Sequence, residues 1–289
     1  MDAAQIVTRM PGSRQISIGA VRSSFKRQQQ RPQLPSTVFR RPNVRLEEGS
    51  VASYARVCGF SPSQGVPLTY PHILAFPLHM LLMLRPDFPF PAIGLVHLAN
   101  TIQLHARLNP GDSLTLTAGA GGFIAHEKGQ AFTIDVTAER NRRLVWQSTS
   151  TYLRRGIANP QGQPYRSLSN EPVLETVSSR LNMPADLGRR YAQVSGDANP
   201  IHTSRIGAKI LGFKRPIAHG MWTKARALAA LLPPQPLTRA RVDIAFKTPA
   251  YLPASACLLA RKAAGELWFE VRDGTAELPH LRGLLDHVW

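Results

Sequence analysis

Apolar and polar positions along this 289-residue chain change period twice, in the same order in each half. Around 54–59 and 191–196 a short run of the form Tyr-Ala-x-Val-x-Gly predicts a helix that stops at glycine, the residue best suited to a left-handed turn. Longer apolar stretches over 76–84 and 219–232 predict a second helix in each half, ended by Pro86 and by Pro233-Pro234. Both are apolar nearly all round, as expected for a helix enclosed by a sheet rather than lying on a surface. The period then falls to two, predicting strands over 96–108, 113–118, 130–138 and 144–154. The second half offers 240–248, 256–263 and 266–272, with a final strand near the C-terminus. One enclosed helix followed by several antiparallel strands is an α+β unit with its helix packed in a curved sheet.

The halves also echo one another residue by residue. Tyr54-Ala-Arg-Val-Cys-Gly-Phe60 aligns with Tyr191-Ala-Gln-Val-Ser-Gly-Asp197, Phe76-Pro-Leu-His-Met80 falls near Arg215-Pro-Ile-Ala-His-Gly-Met221, and Leu108-Asn-Pro-Gly-Asp112 near Tyr251-Leu-Pro-Ala-Ser255. Three echoes in one order imply duplication of a unit of roughly 120–140 residues. The expected division is a basic leader over 1–40, a first unit over 41–157, a linker near 159–164 and a second unit over 165–289. Phe60 stands in the place of Asp197, and Gly65 in that of His202. The first unit keeps the scaffold without the ionisable pair, so one active site is expected, in the second unit.

A hydrophobic content of 43% supports a packed core. Cys58 and Cys257 belong to no CxxC or Cys/His spacing, which argues against a disulfide framework or zinc ribbon and fits a reducing, cytoplasmic compartment. The net charge of +17 points to an anionic partner. No RNP aromatic motif, zinc finger or basic zipper accompanies it, so nucleic acid is not expected. Much of the excess lies in and just after the leader, over residues 1–46, where Arg9, Arg14, Arg22, Lys26, Arg27, Arg31, Arg40, Arg41 and Arg45 face only Asp2. The leader reads as a solvated basic arm, and its Arg-, Ser- and Gln-rich start is also compatible with a mitochondrial transit peptide. No run reaches the ~20 apolar residues of a membrane span.

Candidate chemistry concentrates in Tyr191-Ala-Gln-Val-Ser-Gly-Asp197-Ala-Asn-Pro-Ile-His202 and in Pro216-Ile-Ala-His-Gly220-Met221. Pro200 suits a first helical position and Asn199 its N-cap, so His202 falls in the first turn with Asp197 just outside it. A carboxylate and an imidazole placed this way can share one water and divide base and acid roles; the sequence leaves open which takes which. Gly220 opens the second central helix, whose first N–H groups lack intrahelical acceptors and can receive a developing negative charge. Asp-x-Asn-Pro is equally an ordinary turn and helix start. His219 reads as a structural histidine capping that helix, and Ser195 as a small packing residue or part of the site wall. Asp197, His202 and His219 follow no common ligand spacing, and no metal is expected. His72, His79, His97 and His105 read as scattered, half-buried histidines. Lys209, Lys214, Arg215, Lys224 and Arg226 surround the motif and are candidates for phosphates or an acidic protein face, with solvated surface charge the default for each.

Tyr191, Ser195, Gly196, Asp197, Asn199, Pro200, Ile201, His202 and Ala208, continued by Gly212-Phe213 and Pro216 to Met221, resemble the MaoC-like dehydratases, the (R)-specific enoyl-thioester hydratase group. The likeness is dense over 190–222 and weaker over 67–78, which is similar to the degenerate half of double hot-dog members. It implies an α+β double hot-dog fold: two tandem units, each a long central helix wrapped by a curved antiparallel sheet. It also implies a 3-hydroxyacyl-thioester dehydratase, equivalently a trans-2-enoyl-CoA hydratase. The expected catalytic residues are Asp197, His202 and Gly220, with Ser195, Asn199, His219 and Met221 against the substrate. No cofactor is implied beyond the coenzyme A or acyl carrier protein that carries the substrate. A monomer and a homodimer both fit a chain that contains two such units. The rivals are a hot-dog acyl-thioesterase and a non-catalytic module binding acyl groups or nucleic acid.

Overall fold

The computed structural model describes residues 4–26, 32–168, 177–263 and 265–286. Its elements begin with β1 (Gln5–Ile6), α1 (Ser13–Ser23), β2 (Val38–Arg45), α2 (Glu48–Cys58), α3 (Tyr70–Leu84) and β3 (Leu95–Leu104). There follow β4 (Ser113–His126), β5 (Gly129–Arg140), β6 (Arg143–Arg155), β7 (Gln163–Pro164), β8 (Val177–Met183) and α4 (Leu187–Ser195). The chain closes with α5 (Pro200–Thr203), α6 (Arg205–Ile210), α7 (Gly220–Leu231), β9 (Ala240–Phe246), β10 (Ala254–Ala263), β11 (Glu266–Asp273) and β12 (Pro279–Asp286).

Two compact units result. The first comprises Met1–Arg45, Pro71–Asn100 and Ser113–Arg166; the second comprises Leu46–Tyr70, Thr101–Asp112 and Ser167–Trp289. They cut across the sequence division, because α2, read as the start of the first repeat, belongs to the second unit.

In the first unit the strand order is β1-β2-β4-β5-β6-β3. None of the residues of α3 is exposed, as its all-round apolar pattern requires. This helix starts at Tyr70, six residues before the expected start. Pro71 lies in its first turn, where a missing N–H costs nothing, and the interior Pro77 gives up one backbone bond of the helix. The leader is not a free arm. Gln5 and Ile6 pair in parallel with Phe39 and Arg40 of β2. Gly19 of α1 lies against Leu84. Lys26 donates to the carbonyls of Met83, Arg85 and Phe88 at 3.2, 2.6 and 3.0 Å, so a cation closes the C-terminal end of α3. Composition shows the charge but not carbonyls 57 to 62 residues away.

The first unit also corrects the reading of scattered histidines. His79 of α3 is wholly buried, with Nδ1 3.1 Å from the Tyr152 hydroxyl. His72, one face-repeat earlier, meets the His79 ring edge-on at 5.4 Å, and His97 of β3 stacks on Tyr152 at 4.6 Å. Burial holds the His79 pKa down at about 3, so its ring is neutral in the fold.

In the second unit the strand order is β9-β12-β11-β10-β8, antiparallel at each step. Helix α7 runs as the pattern predicts, within one residue at each end, and its buried residues include Met221, Trp222, Ala225 and Leu228. The two repeat-related helices α2 and α4 each end at a left-handed glycine, Gly59 at φ 81° and Gly196 at φ 75°. The rings of Tyr54 and Tyr191, equivalent in the repeat, lie 6.1 Å apart. Trp222 of α7 donates to the Val57 carbonyl at 2.9 Å, tying α7 to α2. Two of the candidate cations around the motif are drawn in from the surface, one fully and one in part. Lys224 is fully buried on α7, and the Arg226 side chain lies against Gly59.

Candidate active site

Helix α4 delivers the site. Gly196 ends it in the left-handed region, where a side chain would be strained, and turns the chain sharply into Asp197. Three local hydrogen bonds then set the turn. The Asp197 amide donates to the Ser195 hydroxyl, the Asn199 amide to Asp197 Oδ1, and the Ile201 amide to Asn199 Oδ1, each at 3.2 Å. Asn199 is the N-cap and Pro200 the first residue of α5, as the sequence predicts. Ser195 and the Asn199 side chain thus position Asp197 and start α5.

Two residues that sequence reasoning passed over hold α5 in place. A Cβ on Gly188 would lie 1.8 Å from the His202 carbonyl oxygen, so α4 and α5 pack this closely only with glycine there. The second is Ile217, whose carbonyl faces His202 Nδ1 at 2.8 Å. The strap around Ile217 is fixed on both sides, by Ile217 N–H to the Ile201 carbonyl at 3.0 Å and Ala218 N–H to the Ala250 carbonyl at 2.8 Å.

These contacts decide the tautomers. A backbone carbonyl only accepts, so His202 carries its proton on Nδ1 and presents a bare lone pair at Nε2. His219, almost wholly buried, donates through Nε2 to the Asp197 carbonyl at 3.0 Å. It is the N-cap residue of α7, yet its side chain does not cap that helix as expected; it pins the Asp197 backbone instead. The two imidazoles stack at 3.7 Å, and the Tyr191 ring closes on His219 at 4.8 Å. Burial lowers the pKa of His202, partly opposed by the Asp197 charge. It lowers that of His219 further, helped by His202. With His219 neutral, its 3.9 Å approach to the Asp197 carboxylate is not an ion pair.

One ligand atom from each of Asp197, His202 and His219 lies within 4.8 Å of the others. A cation bound there would occupy the carboxylate and the lone pair that proton transfer uses, so the two uses exclude one another. Helix α7 begins at Gly220, and its first turn leaves N–H groups without intrahelical acceptors. A Cβ on Gly220 would sit 2.9 Å from two carbons of the Phe246 ring, which fixes how closely this helix end approaches β9. Met221, the next residue, is buried at 8% exposure. The second unit therefore holds a carboxylate, a neutral imidazole with a free lone pair and a helix N-terminus, while the repeat-equivalent Phe60 is apolar and buried.

A family model described as MaoC like domain matches residues 159–250. The chain is 32% identical over 249 residues to 3-hydroxyacyl-thioester dehydratase X of Mycobacterium tuberculosis, covering 86% of this chain and 89% of that protein. A crystal structure of that protein, HtdX, superposes with a TM-score of 0.73 at 30% identity, covering 86% of this chain and 99% of the other. Peroxisomal enoyl-CoA hydratase 2 of Arabidopsis thaliana is 26% identical over 163 residues, 51% of this chain and 52% of that enzyme. A Mycobacterium tuberculosis protein described as a double hotdog fold superposes at a TM-score of 0.55 and 12% identity, covering 88% of this chain and 96% of that one, a likeness of fold alone.

Proposed function

The chain belongs to the MaoC-like dehydratase family, and from that premise we propose that it is an (R)-specific 3-hydroxyacyl-thioester dehydratase, equivalently a trans-2-enoyl-thioester hydratase. The observation that carries the reading is the bond from His202 Nδ1 to the Ile217 carbonyl. It leaves a neutral imidazole with its Nε2 lone pair beside Asp197.

In the hydration direction one water is held between the Asp197 carboxylate and His202 Nε2. Its oxygen attacks Cβ while a proton passes to Nε2. The Cα=Cβ electrons move onto the thioester oxygen, where the N–H groups of the first turn of α7, at Gly220, accept the charge. One such donor is typically worth ~3 kcal/mol to the transition state. The imidazolium then returns a proton to Cα, the carbonyl re-forms, and water has been added with neither residue changed. Asp197, oriented through the Asn199 amide, holds the second O–H of the water. Dehydration is the same path reversed. This chemistry moves protons only and calls for no metal or redox group. The substrate is an acyl-CoA-type thioester, and the cytoplasm, where such thioesters are made and used, is the compartment we assign. Among the described residues no helix is long and apolar enough to cross a membrane.

The test is turnover of a trans-2-enoyl-CoA series, with chiral analysis of the product and a parallel assay for free thiol. Wild type should give the (R)-3-hydroxyacyl thioester without thiol release. Asp197→Asn and His202→Gln should each lose about 10²–10⁴-fold in kcat while keeping the wild-type circular dichroism. Thiol release, or full activity in both variants, would overturn the reading.

A further inference from the structure

Helix α6 follows directly on the helix that carries His202, and its outer face is unlike the rest of the surface. Ile206 and Ile210, one turn apart, are 73% and 78% exposed; among the large apolar side chains of the described residues only Phe25 exceeds either. Arg205 and Lys209 lie on the same helix, and Lys214 and Arg215 just after it, all exposed. Among the described residues no ion pair engages Arg205, Lys209 or Lys214. From Ala198 to Val242 the chain has eight lysines and arginines and no aspartate or glutamate. The patch is rigidly joined to the site. Ser204, the N-cap of α6, accepts from the Gly207 amide at 3.1 Å, and Gly207 packs so tightly on Pro200 that a Cβ would lie 2.5 Å from its side chain.

Cations alone would suit the phosphates of coenzyme A. Two exposed isoleucines set among those cations need a partner with apolar side chains on an acidic surface, which means a protein. A second copy of this chain fits poorly, since two-fold pairing through α6 would bring Arg205 and Lys209 against their own equivalents. An anionic membrane would match charge and apolarity but would not present a thioester to His202. We propose that the face formed by Arg205, Ile206, Lys209, Ile210, Lys214 and Arg215 docks an acidic acyl carrier protein, which presents its pantetheine-linked enoyl or 3-hydroxyacyl group to Asp197 and His202. This rests on the hydratase reading above and names the form in which the substrate arrives.

The experiment compares one enoyl group carried on a purified acidic acyl carrier protein with the same group on coenzyme A. Both are assayed with wild type and with the double variant Ile206→Ser/Ile210→Ser, whose side chains are exposed and not needed for folding. In parallel, anisotropy of fluorescently labelled holo-carrier reports binding to wild type, to the double variant and to Lys209→Glu. The double variant should lose about tenfold in kcat/KM on the carrier thioester through KM, with the coenzyme A ester unchanged, and carrier Kd should rise about tenfold in both variants. Equal loss on both esters, unchanged carrier binding in the variants, or wild-type turnover confined to the coenzyme A ester would overturn the proposal. Isoleucine-dependent self-association in light scattering, or isoleucine-dependent pelleting with phosphatidylglycerol vesicles, would give the patch another occupant and overturn it too. If neither ester reacts, the hydratase reading fails by itself, and the binding arm still decides the docking surface.

Discussion

Replacing His79 should change how stability depends on pH. The ring is wholly buried against Tyr152 and His72, and its pKa falls from the ordinary 6.5 to about 3. Between those values the unfolded chain binds a proton that the folded chain refuses. This group's contribution is therefore whole above pH 6.5 and is lost progressively as pH falls from there towards 3. Each unit is worth about 1.4 kcal/mol, so lowering the pH to 5 costs roughly 2 kcal/mol through this residue. His79→Asn keeps a polar atom near the Tyr152 hydroxyl and removes the titration. At pH 7.5 the variant should be less stable than wild type by about 1–3 kcal/mol, because truncation leaves a cavity. At pH 5 the difference should have shrunk by roughly 2 kcal/mol, since wild type alone pays for keeping the ring neutral. Urea unfolding of both proteins at the two pH values measures this, and their difference cancels the contributions of His72, His202 and His219. A stability gap equal at both pH values would refute the argument and place His79 where it can accept a proton.

Two further outcomes follow from the site. In Gly220→Ala the new Cβ would sit 2.9 Å from two carbons of the Phe246 ring, so either that ring or the start of α7 must give way. If its N–H groups receive the thioester oxygen, kcat should fall about 10–100-fold with KM changing less, and Phe246→Leu should restore part of the loss; unaltered kcat would remove α7 from the mechanism. The lowered pKa of His202 predicts that kcat/KM holds level on acidification through pH 6.5 and falls with unit slope only below it, where Nε2 gains a proton. An acid limb at or above 6.5 in a pH–rate profile would show that burial does not govern this imidazole.

Much of this molecule was legible locally. The left-handed glycines after α2 and α4, the Asn199 cap, Pro200 at the start of α5 and the extent of α7 each depend on residues within a few positions, and the sequence states them. Strands β2 and β8 were missed because their composition is polar and, in β2, interrupted by Pro42; neighbouring strands supply the pairing that their own pattern does not. The basic leader was read from charge alone, and its docking through Lys26 depends on carbonyls that exist as a cluster only once α3 has ended.

By itself the sequence determined the two helix-and-sheet repeats, the absence of an ionisable pair from the first, and the five-residue spacing of Asp197 and His202. Periodicity, turn chemistry and a five-residue spacing are short-range properties. The tertiary structure alone decided which nitrogen of His202 is bare, because that follows from the Ile217 carbonyl fifteen residues away. It decided that His219 holds the Asp197 backbone rather than capping its own helix, and that Lys224 is buried while Arg205 and Lys209 face solvent. A side chain's protonation and accessibility are set by whatever the rest of the chain packs around it, and no local pattern encodes that.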